Sequence, residues 1–185
     1  MEALLVSTFA VAIAEIGDKT QLLSLLLAAR YRRFWPIAGG ILVATLLNHA
    51  LAAWLGAWVA QQFSPRALTW MLALSFFAVA LWTLKPDKLD DEGGTTSRYG
   101  AFVATTIAFF LAEIGDKTQI ATVVLAAKYS PLWIVVTGTT LGMLLANLPV
   151  IALGAKFAQR LPLRAARWAA AILFAGLALA VLLRA

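Results

Sequence analysis

Two identical seven-residue segments carry the side chains of this chain that could do chemistry. Glu15–Gln21 and Glu113–Gln119 both read Glu-Ile-Gly-Asp-Lys-Thr-Gln, and they begin 98 residues apart. Each segment places two carboxylates, an ammonium group, a hydroxyl and an amide inside an otherwise apolar stretch. An unpaired charge in lipid costs at least a few kcal/mol, so such side chains face a helix-bundle interior or a wet cavity. The two motifs therefore predict a polar site inside an apolar protein.

The spacing within each motif determines which side chains meet. On a continuous helix, Glu15 and Asp18 would stand three residues apart and share one face, and the second motif repeats this spacing. The glycine between them allows either a close backbone approach or local unwinding that frees carbonyl oxygens as ligands. Both readings of the glycine fit the sequence.

The charge of the paired motifs suits a divalent cation. Four acids and two lysines leave a net charge of −2, which one divalent cation or two protons would neutralise. Oxygen donors suit calcium, magnesium or manganese, whereas zinc, copper and nickel favour imidazole and thiolate. The chain has no Cys, and its one His, His49, has no His at the repeat-equivalent position.

The predicted site follows from these donors. The predicted cation ligands are Glu15, Asp18, Glu113, Asp116, Gln21 and Gln119. The four acids are also the predicted proton carriers, and Lys19 and Lys117 balance their charge. The predicted supporting residues are Gly17, Gly115, Thr20, Thr118, Asn48 and Asn147.

Structural roles are the alternative for several of these residues. Buried acid–lysine pairs can serve only to hold helices together, but that role needs one acid per Lys and each motif has two. Asn48 and Asn147 fit interhelical hydrogen bonding as well as cation binding. The Gly138-x-x-x-Gly142 pattern predicts a helix-packing surface.

Composition places the chain in a membrane. Its residues are 62% hydrophobic and 13% charged, whereas soluble domains are about half apolar and a quarter charged. A spanning helix needs about 20 apolar residues. We therefore predict an all-α polytopic membrane protein with six transmembrane helices, at about 3–29, 36–60, 67–85, 99–127, 132–155 and 165–184. The first stretch continues into the motif, which favours a helix over a signal peptide.

The internal repeat extends beyond the motifs. A shift of 98 residues also aligns Trp35 with Trp133 and Phe76 with Phe174, without a gap. Three predicted helices per half is an odd number, so the halves would enter the membrane from opposite sides, as in the inverted repeats of many secondary transporters. We predict a first three-helix repeat at 1–85, a cytoplasmic linker at 86–98 and a second three-helix repeat at 99–185.

Basic residues predict the orientation. Ten of the 15 Lys and Arg residues lie in or beside the loops after the first, third and fifth predicted helices, and three lie on the opposite side. Cytoplasmic loops carry the excess of Lys and Arg, so both termini are predicted to lie outside the cytoplasm. This placement also explains the net charge of +6 without a nucleic-acid partner.

The doubled Glu-x-Gly-Asp-Lys-Thr motif, with a polar segment between its copies, resembles the Gdt family (uncharacterised protein family sixteen). Eukaryotic members of that family act in the Golgi, and bacterial relatives act as manganese exporters. The resemblance covers essentially the whole chain and implies exchange of manganese or calcium for protons. It implies that the cation and proton site is formed by Glu15, Gly17, Asp18, Lys19 and Thr20 with Glu113, Gly115, Asp116, Lys117 and Thr118. The compact length resembles a bacterial member of the inner membrane.

The expected function is therefore transport. We expect export of a divalent cation, manganese first, in exchange for protons, with a calcium/proton antiporter as the alternative. The expected partners are the cation, protons and the lipid bilayer; no cofactor, nucleic acid or enzymatic activity is expected. Two other classes are an intramembrane aspartyl protease using Asp18 and Asp116, and a non-transporting scaffold. The protease leaves the extra Glu and Lys of each motif unexplained.

The orientation is testable because the chain has no native Cys. We predict that an impermeant thiol reagent added to intact cells labels Glu2→Cys and leaves Gly93→Cys unlabelled until the cells are permeabilised. Labelling of Gly93→Cys from outside, with Glu2→Cys protected, would reverse the assignment.

Overall fold

The computed structural model describes residues 1–85, 100–154 and 162–183, and within this range it contains eight helices. They are α1 (Glu2–Glu15), α2 (Lys19–Tyr31), α3 (Phe34–Gln62), α4 (Pro65–Thr83), α5 (Ala101–Glu113), α6 (Lys117–Lys128), α7 (Leu132–Leu153) and α8 (Leu163–Leu182). No strand occurs among these residues, so the all-α prediction is confirmed for them. The predicted linker at 86–98 lies outside the described residues.

The two motifs interrupt helices. The predicted stretches 3–29 and 99–127 are each two helices, and the prediction that Glu15 and Asp18 share the face of one helix is wrong. Helix α1 ends at Glu15, and Asp18 is the extended residue that caps the N-terminus of α2. Between them Gly17 has a φ of +82°, and Gly115 has a φ of +73° at the second break. Glycine adopts this left-handed conformation without steric cost, so the unwinding interpretation is confirmed.

Length and surface fit a multi-pass membrane protein. Among the described residues, four helices are long and apolar enough to span a membrane: Phe34–Gln62, Pro65–Thr83, Leu132–Leu153 and Arg164–Leu182. All seven Trp residues are exposed, from Trp82 at 36% to Trp35 at 81%. A large exposed apolar surface is compatible with lipid rather than with water.

The long helices of each half pack against the first helix of the other half. Helix α7 packs on α1, and α3 packs on α5. A Cβ added to Gly138 would lie 2.8 Å from the carbonyl oxygen of Leu4, and one added to Gly40 would lie 2.8 Å from that of Phe102. Gly40 and Gly138 are equivalent in the 98-residue repeat, and so are Leu4 and Phe102. The two halves therefore repeat one helix contact, and the predicted packing role of the Gly138–Gly142 pattern is confirmed.

Helices α4 and α8 pair with each other beside this arrangement. Phe76 and Phe174, which are equivalent in the repeat, stack with ring centroids 6.3 Å apart. Both rings are fully buried and belong to the larger apolar core, which also includes Leu125 of α6. Helix α6 is thereby packed into the core on the side where α4 and α8 meet.

The close contact of α1 and α7 can be tested with one methyl group. A Cβ at Gly142 would meet backbone of α1, 2.5 Å from the oxygen of Thr8, so the helices must separate to accept it. We expect Gly142→Ala to lower the stability by about 1–3 kcal/mol, seen as a lower melting temperature in detergent. Gly176→Ala is the matched control, because a Cβ there meets nothing within 4 Å. Equal melting temperatures for the two variants would contradict the contact.

Candidate metal centre

The polar site forms where the two broken helices meet. Each break places a Glu at the end of one helix and an Asp at the start of the next. The N-termini of α2 and α6 thus lie beside carboxylates, and the positive end of a helix dipole favours negative charge there. The same local structure occurs twice because the same seven residues occur twice.

Crossed ion pairs join the two motifs. The Nζ atom of Lys19 lies 3.2 Å from Oδ1 of Asp116, and Nζ of Lys117 pairs with Oδ1 of Asp18. Each lysine therefore neutralises an aspartate of the other half. A buried charge without a partner is strongly destabilising, so these pairs fix the two breaks against one another.

The motif glutamines hold the breaks open. Oε1 of Gln21 accepts a hydrogen bond of 2.8 Å from the backbone N–H of Gly17, and Gln119 does the same for Gly115 at 2.7 Å. Each amide thereby supplies a partner to a backbone N–H at the break and stabilises the unwound segment. The Nε2 group of Gln21 also donates to the carbonyl oxygen of Ala146 at 2.8 Å. The Oε1 atoms of Gln21 and Gln119, which were predicted as cation ligands, thus accept hydrogen bonds from the backbone.

Each of the two glutamates satisfies only one of its carboxylate oxygens. Glu15 and Glu113 are fully buried, and one oxygen of each accepts a hydrogen bond from the Thr of its own motif, Thr20 or Thr118. The other oxygen, Oε1 in both cases, has no hydrogen-bond partner among the described residues. Buried polar atoms nearly always have a partner, so this pair of oxygens points to a ligand.

Geometry fits a cation at this point. Glu15, Glu113 and Asp116 each offer a carboxylate oxygen, and these three oxygens lie within 4.8 Å of one another. Ligands on opposite sides of a calcium-like ion, bonded at 2.3–2.6 Å, are separated by about 5 Å. Three buried carboxylates from both halves can therefore reach one hard cation.

The predicted asparagines are used between helices. Nδ2 of Asn48 donates to the carbonyl oxygen of Phe110 at 3.0 Å, which joins α3 to α5. Oδ1 of Asn147 accepts from the hydroxyl of Ser24 at 2.7 Å, which joins α7 to α2. These contacts favour interhelical hydrogen bonding over direct cation binding. His49, which corresponds to Asn147 in the repeat, is buried in α3, and neither ring nitrogen has a hydrogen-bond partner among the described residues.

Sequence reasoning missed two features of the site. Ser24 was not singled out, although it follows Thr20 by four residues and so shares its face of α2. The crossing of the ion pairs was also missed, because a sequence gives no distance between the motifs. The only sequence feature that suggested such pairs was that the motifs contain as many aspartates as lysines.

Comparison with known proteins identifies the family of this chain. The chain matches the family described as "Divalent cation/proton antiporter GDT1" twice, over residues 3–91 and 101–185. The chain belongs to the GDT1 family of divalent cation/proton antiporters. The resemblance drawn from the doubled motif is confirmed.

Relatives of the chain carry related names. It is 57% identical over 182 residues to a Vibrio cholerae protein named "Putative manganese exporter", covering 97% of this chain and 90% of that protein. It is 32% identical to GDT1-like protein 5 of Arabidopsis thaliana, covering 68% and 72%, and 28% identical to a GDT1-like protein of Synechocystis sp., covering 80% of each. No solved structure matched the chain.

The left-handed glycine of the second break gives a clean test of the site. A Cβ at Gly115 would meet nothing within 4 Å, so only its backbone conformation opposes a side chain. We expect Gly115→Ala to cost about 1–2 kcal/mol and to weaken manganese binding to the purified protein severalfold. Gly115→Asn should bind closer to wild type, because Asn tolerates the left-handed region. Binding by Gly115→Ala equal to wild type would contradict a required break, and equal damage in both variants would implicate side-chain volume instead.

Proposed function

We propose that this protein exports a divalent cation, manganese first, from the bacterial cytoplasm across the inner membrane in exchange for protons. The family supplies the exchange of a divalent cation for protons. Manganese and the direction are supported by the name of the Vibrio cholerae relative at 57% identity. The carboxylate donors also suit calcium, so a calcium/proton exchanger is the second candidate.

The observation that carries the proposal is the pair of unpartnered glutamate oxygens. Asp18 and Asp116 are offset by the two lysines, which leaves Glu15 and Glu113 to account for the net charge of −2. One divalent cation neutralises that charge, and so do two protons. The two occupants therefore compete for the same oxygens, and an exchange of two protons per cation moves no net charge through the site.

The ligand assignment follows the geometry. Glu15, Glu113 and Asp116 are the primary ligands, since their oxygens already converge. Asp18, Gln21 and Gln119 are adjacent donors that would have to change partners to coordinate the cation. Thr20 and Thr118 orient the glutamates.

Six spans arranged as an inverted repeat fit these helices. Helices α1 and α2 contain 14 and 13 residues, so together they reach about 40 Å, enough for the roughly 30 Å of a bilayer core. Helices α5 and α6 form the equivalent pair. The repeated contacts of α1 with α7 and of α5 with α3 support repeats at 1–85 and 99–185. The excess of Lys and Arg in the loops on its side of the membrane supports a cytoplasmic position for the connecting segment 86–98.

Helix packing beside the site differs between the two halves. A Cβ at Gly56 of α3 would lie 2.1 Å from the carbonyl oxygen of Val123, so α3 closes tightly on α6. The repeat-equivalent Gly154 has no described atom within 4 Å of such a Cβ. The side chain of Lys19 is 25% exposed, whereas that of Lys117 is 5% exposed. Two equivalent halves in different packing states are what alternating access requires, and here the α2 side is the more open.

The other classes explain the site less well. An aspartyl protease needs two carboxyl groups that share a proton, whereas Asp18 and Asp116 each pair with a lysine. A scaffold gives no reason for two buried, unpartnered carboxylate oxygens. A non-enzymatic antiporter accounts for both observations.

Amide substitution tests the proposed function. We expect Glu15→Gln, Asp18→Asn, Glu113→Gln and Asp116→Asn each to reduce manganese transport in proteoliposomes at least tenfold while the protein still inserts. An amide keeps the volume but removes the charge on which the cation or the lysine depends. Glu2→Gln is the matched control, because Glu2 is an exposed acid outside the site. Near wild-type transport by any three of the four variants would refute the proposed site.

Uptake into the same proteoliposomes distinguishes between the candidate cations. We expect uptake across a panel of manganese, calcium, magnesium and zinc to favour manganese, with calcium second. Calcium uptake that exceeds manganese uptake would make the calcium/proton exchanger the correct reading.

A further inference from the structure

A cavity of about 460 Å³ lies where α2 turns into α3. The last turn of α7 forms its opposite wall. It is far larger than an inorganic ion needs and lies within the range of small-molecule sites, about 300–1,000 Å³. Its lining residues are Ala28, Arg32, Arg33, Phe34, Ile37, Ile151 and Ala152.

The lining combines two guanidinium groups with an apolar wall, and none of the described residues that form it is a carboxylate. Arg32 and Arg33 are exposed, and neither forms an ion pair within the described part of the chain. Guanidinium groups present paired donors that match phosphate oxygens. Ile37 and Ile151 behind them are buried. This combination suits a ligand with a phosphate at one end and a hydrocarbon chain at the other.

Arg32 occupies a backbone position that Gly or Asn would fill at lower cost. It ends α2 with a φ of +51°, and its N–H donates to the carbonyl oxygen of Ala28 at 3.0 Å. Left-handed C-terminal positions of helices are usually Gly, sometimes Asn. An arginine that carries this backbone cost indicates that its side chain is used.

The aromatic residues beside the cavity indicate that it lies at the level of the lipid headgroups in the membrane. Trp35 is 81% exposed next to it and packs edge-on against Phe34, with ring centroids 5.1 Å apart. Trp and Tyr rings mark the membrane–water interface. Basic pockets between helices on the cytoplasmic side suit anionic headgroups.

The basic pair is not a product of the repeat. The residues 98 positions after Arg32 and Arg33 are Ser130 and Pro131. The motifs are duplicated without change and Arg30 has its counterpart in Lys128, but this arginine pair occurs in one half only. The positively charged cavity therefore belongs to one end of the protein, which is the cytoplasmic end under the proposed orientation.

We propose that this cavity binds one anionic phospholipid, with the phosphate on Arg32 and Arg33 and an acyl chain along Ile37 and Ile151. The lipid fills the space between the last turns of α2 and α7. Nearer the cation site these helices are joined by the hydrogen bonds Gln21–Ala146 and Ser24–Asn147. The lipid thus supports the end of α2 that these bonds do not reach.

The test measures lipid binding and does not depend on transport. The full-length protein, stripped of lipid in detergent, is titrated with phosphatidylglycerol or with phosphatidylcholine of the same acyl chains. Native mass spectrometry counts bound lipid, and tryptophan fluorescence follows the melting temperature. We expect one tightly bound phosphatidylglycerol, a higher melting temperature, and at least tenfold weaker binding of phosphatidylcholine.

Paired variants assign the site. Arg32→Gln with Arg33→Gln should weaken phosphatidylglycerol binding at least tenfold, and Arg32→Lys with Arg33→Lys should restore part of it. The matched control is Arg66→Gln with Lys128→Gln, which removes two positive charges elsewhere and should leave binding unchanged. An equal loss in the control, or no loss in the arginine pair, would overturn the proposal.

Two further arms separate other occupants. Inorganic phosphate and glycerol phosphate should neither raise the melting temperature nor displace the lipid; if either does, the cavity is a soluble-anion site and the proposal is wrong. The chain's own acids Asp87, Asp90, Asp91 and Glu92 are the other source of negative charge on this side. If the protein binds phosphatidylglycerol only after the three Asp are changed to Asn and Glu92 to Gln, the chain itself fills the cavity and the lipid assignment is overturned.

Discussion

Placing four buried carboxylates, one buried ammonium group and one partly buried one among apolar helices is tolerable only when the charges find partners, because an isolated ion in a low-dielectric interior is very costly. The crossed pairs Lys19–Asp116 and Lys117–Asp18 meet this requirement across the two halves. They hold the two helix breaks face to face. The remaining charge resides on Glu15 and Glu113, and under the proposed function this uncompensated charge is what takes up a cation or protons.

The helix break is what lets a lipid-embedded segment present such a site. A continuous helix would bond its own N–H groups and keep the carboxylates on a smooth surface, whereas the unwound segment at Gly17 turns the chain so that Glu15 and Asp18 project from two helix ends. The exposed backbone is satisfied by Gln21, at a distance of 2.8 Å. Non-helical backbone at membrane depth is tolerated only where it is buried in protein or lines a cavity. The motif therefore encodes the break, its cap and the proposed ligands within seven residues.

Some features of the site could be predicted from the sequence and others could not. The all-α class and the identity of the acids were readable because they depend on composition and on a repeated pattern. The sequence did not decide whether the helix breaks at Gly17, since a glycine is compatible with both a closely packed helix and an unwound one. The partners of the lysines and the contact of Ser24 with Asn147 were not readable, because they depend on distances between segments far apart in the chain. Gln21 and Gln119 were predicted to bind the cation because their side chains carry oxygen atoms. In the structure, those oxygens instead accept hydrogen bonds from the backbone N–H groups at the breaks.

The central claim is that cation and protons compete for the two glutamates, and simultaneous flux measurements test it most directly. In proteoliposomes with an acidic lumen and an internal pH dye, external manganese should enter while protons leave, at about two protons per cation from the charge count. Collapsing the pH gradient should slow manganese entry, and Glu15→Gln should abolish both fluxes together. Manganese flux that is indifferent to the pH gradient, or that is driven by sodium, would contradict the account even if the glutamates proved to bind the cation.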